Sequence, residues 1–359
     1  MDIDSLRARH LPSSRHVFTH RDVILYALSV GCNIEEQLQL VYEDSKGFAP
    51  PSHLCCNRCP SCAVLRSTRQ LDPKLCEGEF EHTCTASATK SACKAQAAKC
   101  LHGEQYVELL SSLPTSGTWV TTSKLLDIQD KGLGKGVVAV VRTLTSDDDT
   151  GVQLAVNEFT VFALGAGSGG SSGSSSSSSS SRSSPPIRAA AATAANTPPN
   201  RRPDAARTYQ TYKDQAALYR LNGDYNPLHI DPRVSAAVGY SSPILHGMCT
   251  MGIAVRLVTE AMAGGDPRSV KSVKVRFSKH VFPGDQLRVD MWVGPAPDTV
   301  IFQAVLPGRD SAVVLSAAAV TFWPGKMQAP DAPMAREALP RGPASSHAPG
   351  GAPATASKL

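Results

Sequence analysis

Asp224, Asn226 and His229 stand within six residues of one another in the stretch Y-R-L-N-G-D-Y-N-P-L-H. A carboxylate and an imidazole brought to one point form an acid/base pair, which is what proton transfer on a small substrate requires. Gly223 and Pro227 interrupt any regular helix or strand, so the backbone can fold the two side chains toward each other. The same N-G-D-Y-N-P text also fits an ordinary Asx-type turn beside a core histidine. The chain that follows adds a third group. After the turn Tyr240-Ser241-Ser242-Pro243, a run with few helix breakers begins just past His246-Gly247 and extends from Met248 to Met262. A helix start leaves several N–H groups unpaired at the positive end of its dipole. If that end faces the pair, the N–H of Gly247 can receive a carbonyl oxygen as negative charge develops on it. Acid, base and oxyanion donor together suit chemistry beside a thioester or ester carbonyl.

These groups need a frame. The run from Met248 to Ala263 is apolar nearly all round, and a helix without a polar face is a buried one. Strands able to wrap it follow at Ser269–Val281, Gln286–Val293, Val300–Leu306 and Ala312–Trp323, with a turn at Pro283-Gly284-Asp285. Gln215–Leu221 reads as a helix that delivers the chain to the Asp224 loop. Earlier, residues 18–31 predict a helix with Thr19 as N-cap and Gly31 as its stop. Leu38–Tyr42 reads as a short strand. β-branched runs at Thr118–Leu126, Gly136–Thr143 and Gln153–Leu164 predict further strands.

The 359 residues hold two modest domains, and no apolar run approaches a membrane span; Arg256 breaks the longest one. The first ten residues contain no apolar core of a secretory signal. A net charge of +5, spread along the chain without a nucleic-acid-binding motif, suits an anionic small ligand better than DNA or RNA. Of ten cysteines, eight fall between Cys55 and Cys100. Cys56, Cys59 and Cys62 have metal-ligand spacing, with His53, His82 or Cys84 available as a fourth ligand. The stretch otherwise lacks any sustained period, and we read residues 50–100 as an unstructured insertion or a mis-joined coding segment. Residues 166–205 are Gly-, Ser-, Ala- and Pro-rich, with an unbroken serine run from Ser174 to Ser181, and read as a linker. A Pro/Ala/Gly-rich tail, 325–359, ends in Ser357-Lys358-Leu359, the form of a receptor-read peroxisomal address.

The segment Y-R-L-x-G-D-x-N-P-L-H-x-D-P, followed by P-I-L-H-G-x-C-T-x-G, resembles the signature of the type 2 (R-specific) enoyl-CoA hydratases. These are MaoC-like members of the hot-dog fold. HGEQYVEL (102–109), DKG (130–132) and VRFSKHVFPGDQLRVDMW (275–292) extend the resemblance. It implies an α+β double hot-dog, two curved antiparallel sheets each wrapping a helix. Residues 1–165 would form a degenerate first unit without the acid/base loop, and 206–324 the catalytic unit. By the same resemblance Asp224 and His229 handle water and the C2 proton of an enoyl-CoA. Asn226 orients water and the carboxylate, and the Gly247 N–H binds the thioester oxygen. His102, Gly103 and Lys131 would line the CoA groove, and Tyr225, Pro227, Leu228 and Phe277 would contact substrate. On its own Lys131 also reads as a solvated turn lysine, and Phe277 as a core aromatic. The family needs no cofactor or metal. Expected partners are acyl-CoA, a second copy of the chain in a homodimer and the peroxisomal import receptor, with no nucleic acid and no membrane. A chain of this length has no room for a dehydrogenase or sterol-carrier domain. Two other readings are a hot-dog thioesterase, which the Asp224/Asn226/His229 loop disfavours, and a zinc-dependent interaction protein built on the cysteines.

Overall fold

Strands with apolar residues on alternate positions can bury one face on a helix while the other meets solvent. Ten such strands occur in the computed structural model, which describes residues 13–52, 54, 100–131, 136–163 and 196–328. In chain order they are β1 (Ser14–Phe18), β2 (Cys100–Leu109), β3 (Gly117–Asp130), β4 (Val137–Asp147), β5 (Gln153–Ala163), β6 (Ala205–Gln210), β7 (Val270–Phe277), β8 (Gln286–Val293), β9 (Thr299–Leu306) and β10 (Ala312–Phe322). All pair antiparallel in the order β1-β3-β4-β5-β2-β7-β10-β9-β8-β6. Each half of the chain supplies five strands. The halves join edge to edge where β2 pairs with β7, from Glu104↔Arg276 to Glu108↔Ser272. Two curved sheets were expected; the pairing makes them halves of one continuous sheet. Charged side chains mark the seam: Lys274 and Arg276 both engage Glu104, and Lys274 is 2% exposed.

The helices are α1 (His20–Ser29), α2 (Leu38–Val41), α3 (Gln215–Tyr219), α4 (Pro232–Ala237) and α5 (Gly247–Ala263). α5 is the predicted interior helix. Fourteen of its seventeen residues are buried, and it touches every strand of the second half, β6 to β10. Its one buried charge is neutralised locally. Arg256 donates to Val30 O at 3.1 Å and to Glu260 at 2.6 Å, and its guanidinium lies 5.0 Å over the Tyr209 ring. α1 is capped as its sequence predicts, with Thr19 and Asp22 forming a reciprocal box. No described helix is long and apolar enough to cross a membrane.

The expected strand at Leu38–Tyr42 is instead a helical turn, because Gln37 and Leu38 carbonyls accept from Leu40 and Tyr42 N–H. Gln37 anchors that turn to α5 through a 2.7 Å bond to Glu260. Residues 196–205, read as the end of a linker, are seated on the second half: Trp292 Nε1 donates to Arg201 O, and Ala205 opens β6. At the start of the cysteine-rich stretch, Pro50, Pro51, Ser52 and Leu54 are buried. The rest of that stretch, the serine run and the Ser357-Lys358-Leu359 tail lie outside the described residues.

Candidate active site

The acid/base loop is shaped by a glycine. α3 runs into a 3-10 turn, Arg220–Asn222, which ends on Gly223 at φ +119°, a left-handed conformation that side chains rarely adopt. The reversal throws Asp224 back over the turn, and the backbone N–H of Asn226 donates to its Oδ1 at 3.1 Å. A second 3-10 turn, Pro227–His229, follows with Asn226 as its cap: the Asn226 side-chain oxygen accepts from Leu228 N at 3.1 Å. Asn226 therefore holds the carboxylate through its backbone, while its side-chain NH₂ is not used by the cap and can donate to a water. His229 is almost fully buried. Its Nδ1 lies 2.8 Å from Ile244 O, and since a carbonyl only accepts, Nδ1 carries the proton and Nε2 the lone pair. Burial pushes its pKa below the ordinary value, only partly opposed by Asp224 and the Ile244 bond, so the ring stays neutral at pH 7 with its Nε2 lone pair able to take a proton.

A residue we had placed only at the helix start completes the centre. His246, 2% exposed, caps α5 and stacks on His229 with ring centroids 3.8 Å apart and planes 28° off parallel. Its Nε2 is 3.2 Å from Asp224 O and 4.0 Å from Asp224 Oδ2. Burial and the adjacent His229 push its pKa down to about 3. The sequence signal for it was its place directly before Gly247. Donor atoms of Asp224, His229 and His246 lie within 4.8 Å of one another, a set of metal-ligating types. Ring lone pairs, however, lie in the ring planes, and two stacked rings aim them side by side. A tetrahedral metal at roughly 2.0–2.1 Å needs ligands converging on one point. The arrangement suits proton transfer better than ion binding.

Gly247 begins α5 beside this trio, its N–H among those a helix start leaves without an intrahelical partner. A methyl group at Gly247 would lie 3.1 Å from the Phe277 ring, so the glycine lets β7 approach the helix start. Phe277 in turn packs against His102 of the first half, ring to ring at 4.9 Å. Burial holds the His102 imidazole down at about pKa 4, and Asp224 is among the charges acting on it. A shift of register between His102 and Glu104 leaves Gly103 without a partner in the β2·β5 ladder, a bulge directly after His102, which still pairs with Val161. Phe277 and His102 thus meet at the seam.

The remaining predicted residues are placed less uniformly. Tyr225 is half exposed at the rim, beneath the Arg220 guanidinium at 4.6 Å, whereas Leu228 is 3% exposed and belongs to the interior. Pro227 starts the second 3-10 turn. Lys131 lies exposed, its ammonium on Gln129 Oε1 at 2.7 Å. The register Asp130↔Val137↔Ala163↔Cys100 puts it at the same end of the sheet as His102 but three strands away, about 14 Å at ordinary strand spacing. No described contact carries it to Asp224.

A helix start, a carboxylate and a neutral imidazole at the edge of paired five-stranded halves define a MaoC-like double hot-dog protein. Profiles of known families agree: "MaoC like domain" matches residues 193–304, and "MFE-2 hydratase 2 N-terminal domain" matches 76–165. The second match begins inside the cysteine-rich stretch, at residue 76, within the residues read above as an insertion or mis-joined segment. A probable enoyl-CoA hydratase 2 of Dictyostelium discoideum is 34% identical over 331 residues, covering 91% of this chain and 98% of its own. The peroxisomal multifunctional enzyme type 2 of Drosophila melanogaster is 38% identical over 278 residues. That match covers 77% of this chain but only 41% of the fly protein, so this chain spans less than half of that relative. The fly enzyme's solved structure superposes with a TM-score of 0.63 at 32% identity, over 87% of this chain and 48% of that one. A MaoC-like dehydratase from Phytophthora capsici superposes with a TM-score of 0.66 at 27% identity, over 89% and 98%. The chain belongs to the enoyl-CoA hydratase 2 family of MaoC-like proteins.

Proposed function

We propose that this chain catalyses the reversible hydration of trans-2-enoyl-CoA to (3R)-3-hydroxyacyl-CoA. One observation carries the reading: side-chain atoms of Asp224 and His229 lie within 4.8 Å of each other and of His246, the residue that caps the α5 start at Gly247. A conjugated thioester set there has its carbonyl oxygen on the Gly247 N–H. One member of the Asp224/His229 pair takes a proton from water as the water oxygen bonds C3. The C2=C3 electrons move onto the thioester oxygen, where the helix start holds the enolate-like charge. The proton taken from water then passes from the pair to C2 as the enolate-like charge collapses, so Asp224 and His229 end in the states they began in, and dehydration retraces the same steps. Proton positions belong to the pair, since the groups are close enough to titrate together.

Around this centre we assign substrate contacts to Phe277, His102, Gly103 and Tyr225, with Lys131 toward the CoA end. We read 206–324 as the catalytic unit and the first half as its partner. A homodimer and a peroxisomal address at Ser357-Lys358-Leu359 complete the reading; several relatives carry "peroxisomal" in their names. Chiral analysis of the product from crotonyl-CoA tests the assignment. It should give (3R)-3-hydroxybutyryl-CoA; an S product, or free thiol released in place of hydration, would overturn it.

A further inference from the structure

The structure assigns His246 the part of a positioning residue for the Asp224/His229 pair, an inference that rests on the hydratase reading above. Three contacts define the role. The His246 ring stacks on His229 at 3.8 Å, which fixes the plane in which His229 presents Nε2. Its Nε2 lies 3.2 Å from Asp224 O, and because that carbonyl only accepts, Nε2 bears the proton and donates. This ties the backbone of the acidic residue to the cap of α5, next to the Gly247 N–H. On its other side the ring meets Tyr219, 4.9 Å between centroids, at the end of α3. His246 thus joins three pieces of backbone that carry the acid, the base and the oxyanion donor. Its remaining nitrogen, Nδ1, is buried with no hydrogen-bond partner among the described residues. An orphaned buried nitrogen is costly and is not what packing alone would select. A phenyl ring would fill the space without that cost, but would lose the bond to Asp224.

The titratable and charged groups acting on His246 are His229, Asp224 and Arg220. His246 stays neutral beside His229, so it stacks on the base without placing a second positive charge against it. It touches no reacting atom in this scheme and acts through its neighbours.

The test separates the two contacts. His246→Phe keeps the stack and removes the donor, His246→Gln keeps a donor and removes the stack, and His246→Ala removes both. Misplacing a catalytic group by about 1 Å costs on the order of 10²-fold. His246→Ala should therefore lose about 10²-fold in kcat on crotonyl-CoA, with KM within about twofold, and each single-contact variant about tenfold. The acid limb of the kcat/KM profile should move to higher pH in His246→Ala, where water reaches His229 and relieves its desolvation. In His246→Phe, which stays dry, the limb should not move. Parental kcat in His246→Phe and His246→Gln, or a kcat loss matched by rising KM and a falling melting temperature, would overturn the assignment. If His246→Ala does not fold, the isosteric Phe variant decides by kcat alone. An inactive parent would sink the hydratase reading instead. The His229 tautomer, read by ¹⁵N NMR, then decides: Nδ1–H in the parent and a mixture in His246→Gln upholds the role, and an unchanged tautomer overturns it.

Discussion

Gly247→Ala adds one methyl group at the point where the two halves of the site touch. Its Cβ would lie 3.1 Å from Phe277 Cδ1 and 3.2 Å from Cε1, short of ordinary contact at 3.4 Å by about 0.3 Å. The ring cannot simply retreat, since His102 packs against it at 4.9 Å. The helix start must give instead, and the oxyanion donor moves with it. At about 10²-fold per Å of misplacement, 0.3 Å corresponds to roughly a fourfold fall in kcat. Overpacking that the site cannot relax would add about 1–3 kcal/mol of destabilisation. The backbone N–H survives the substitution, so the loss reports position and not removal of the donor. The assay is the decay of the enoyl absorbance of crotonyl-CoA, run in two backgrounds. In Phe277→Leu the shorter side chain leaves room, and adding Gly247→Ala there should cost less than about twofold. An equal loss in both backgrounds, or no loss in the single variant, would refute the claim that Phe277 sets the position of the α5 start.

Asp224→Asn and His229→Gln should each lower turnover by on the order of 10²–10⁴-fold with the circular dichroism spectrum retained; a fully active variant would remove that residue from the chemistry. Stability should fall with pH, because burial lowers the pKa of His102 to about 4, of His246 to about 3 and of His229 in the same direction. The unfolded chain then binds protons that the native one refuses, so the stabilisation is complete above about pH 6.5 and is lost below it, by roughly 2 kcal/mol at pH 5 for each of His102 and His246, with His229 adding in the same direction. Urea midpoints at pH 7.5 and pH 5 would show this, and equal midpoints would contradict it. Glu104→Gln leaves Lys274 buried without its carboxylate and should cost about 3–5 kcal/mol by chemical denaturation; a loss under about 1 kcal/mol would mean the seam does not depend on the pair. Removing Ser357-Lys358-Leu359 should send a tagged chain to the cytosol with activity unchanged in vitro; continued import would place the address elsewhere.

Much of this arrangement was legible in local sequence, and the rest depends on contacts between distant residues. The α5 helix announced itself by being apolar all round, and β8 by its alternation through Leu287, Val289 and Met291, all three fully buried. The acid/base loop was readable because Gly223 and Pro227 mark its reversals. β1 was missed, since an edge strand with Val17 66% exposed buries little beyond Phe18. α4 was also missed, although Asp231 caps it and Pro232 begins it, a signature that was present in the text. Leu38–Val41 went astray because four residues are too few to show a period. His246 could be seen only as the residue before Gly247. Its stack on His229 joins side chains 17 positions apart, and no spacing rule records that.

The β2–β7 seam bears on how far the protein depends on its own covalent continuity. The first and second halves meet through five register pairs of backbone hydrogen-bonded strand, the Glu104 ion pairs, and the bonds of Gln37 to Glu260 and of Arg256 to Val30 O. The peptide that connects them in sequence, residues 164–195, runs through the serine tract. Mechanical union is therefore provided by contacts between the halves themselves, whatever the connecting peptide does. Nicking the chain within the serine tract should leave a two-fragment protein that stays assembled. Separately expressed halves should complement each other at concentrations where neither is active alone, because His102 and Phe277 pack ring to ring from opposite sides of that seam.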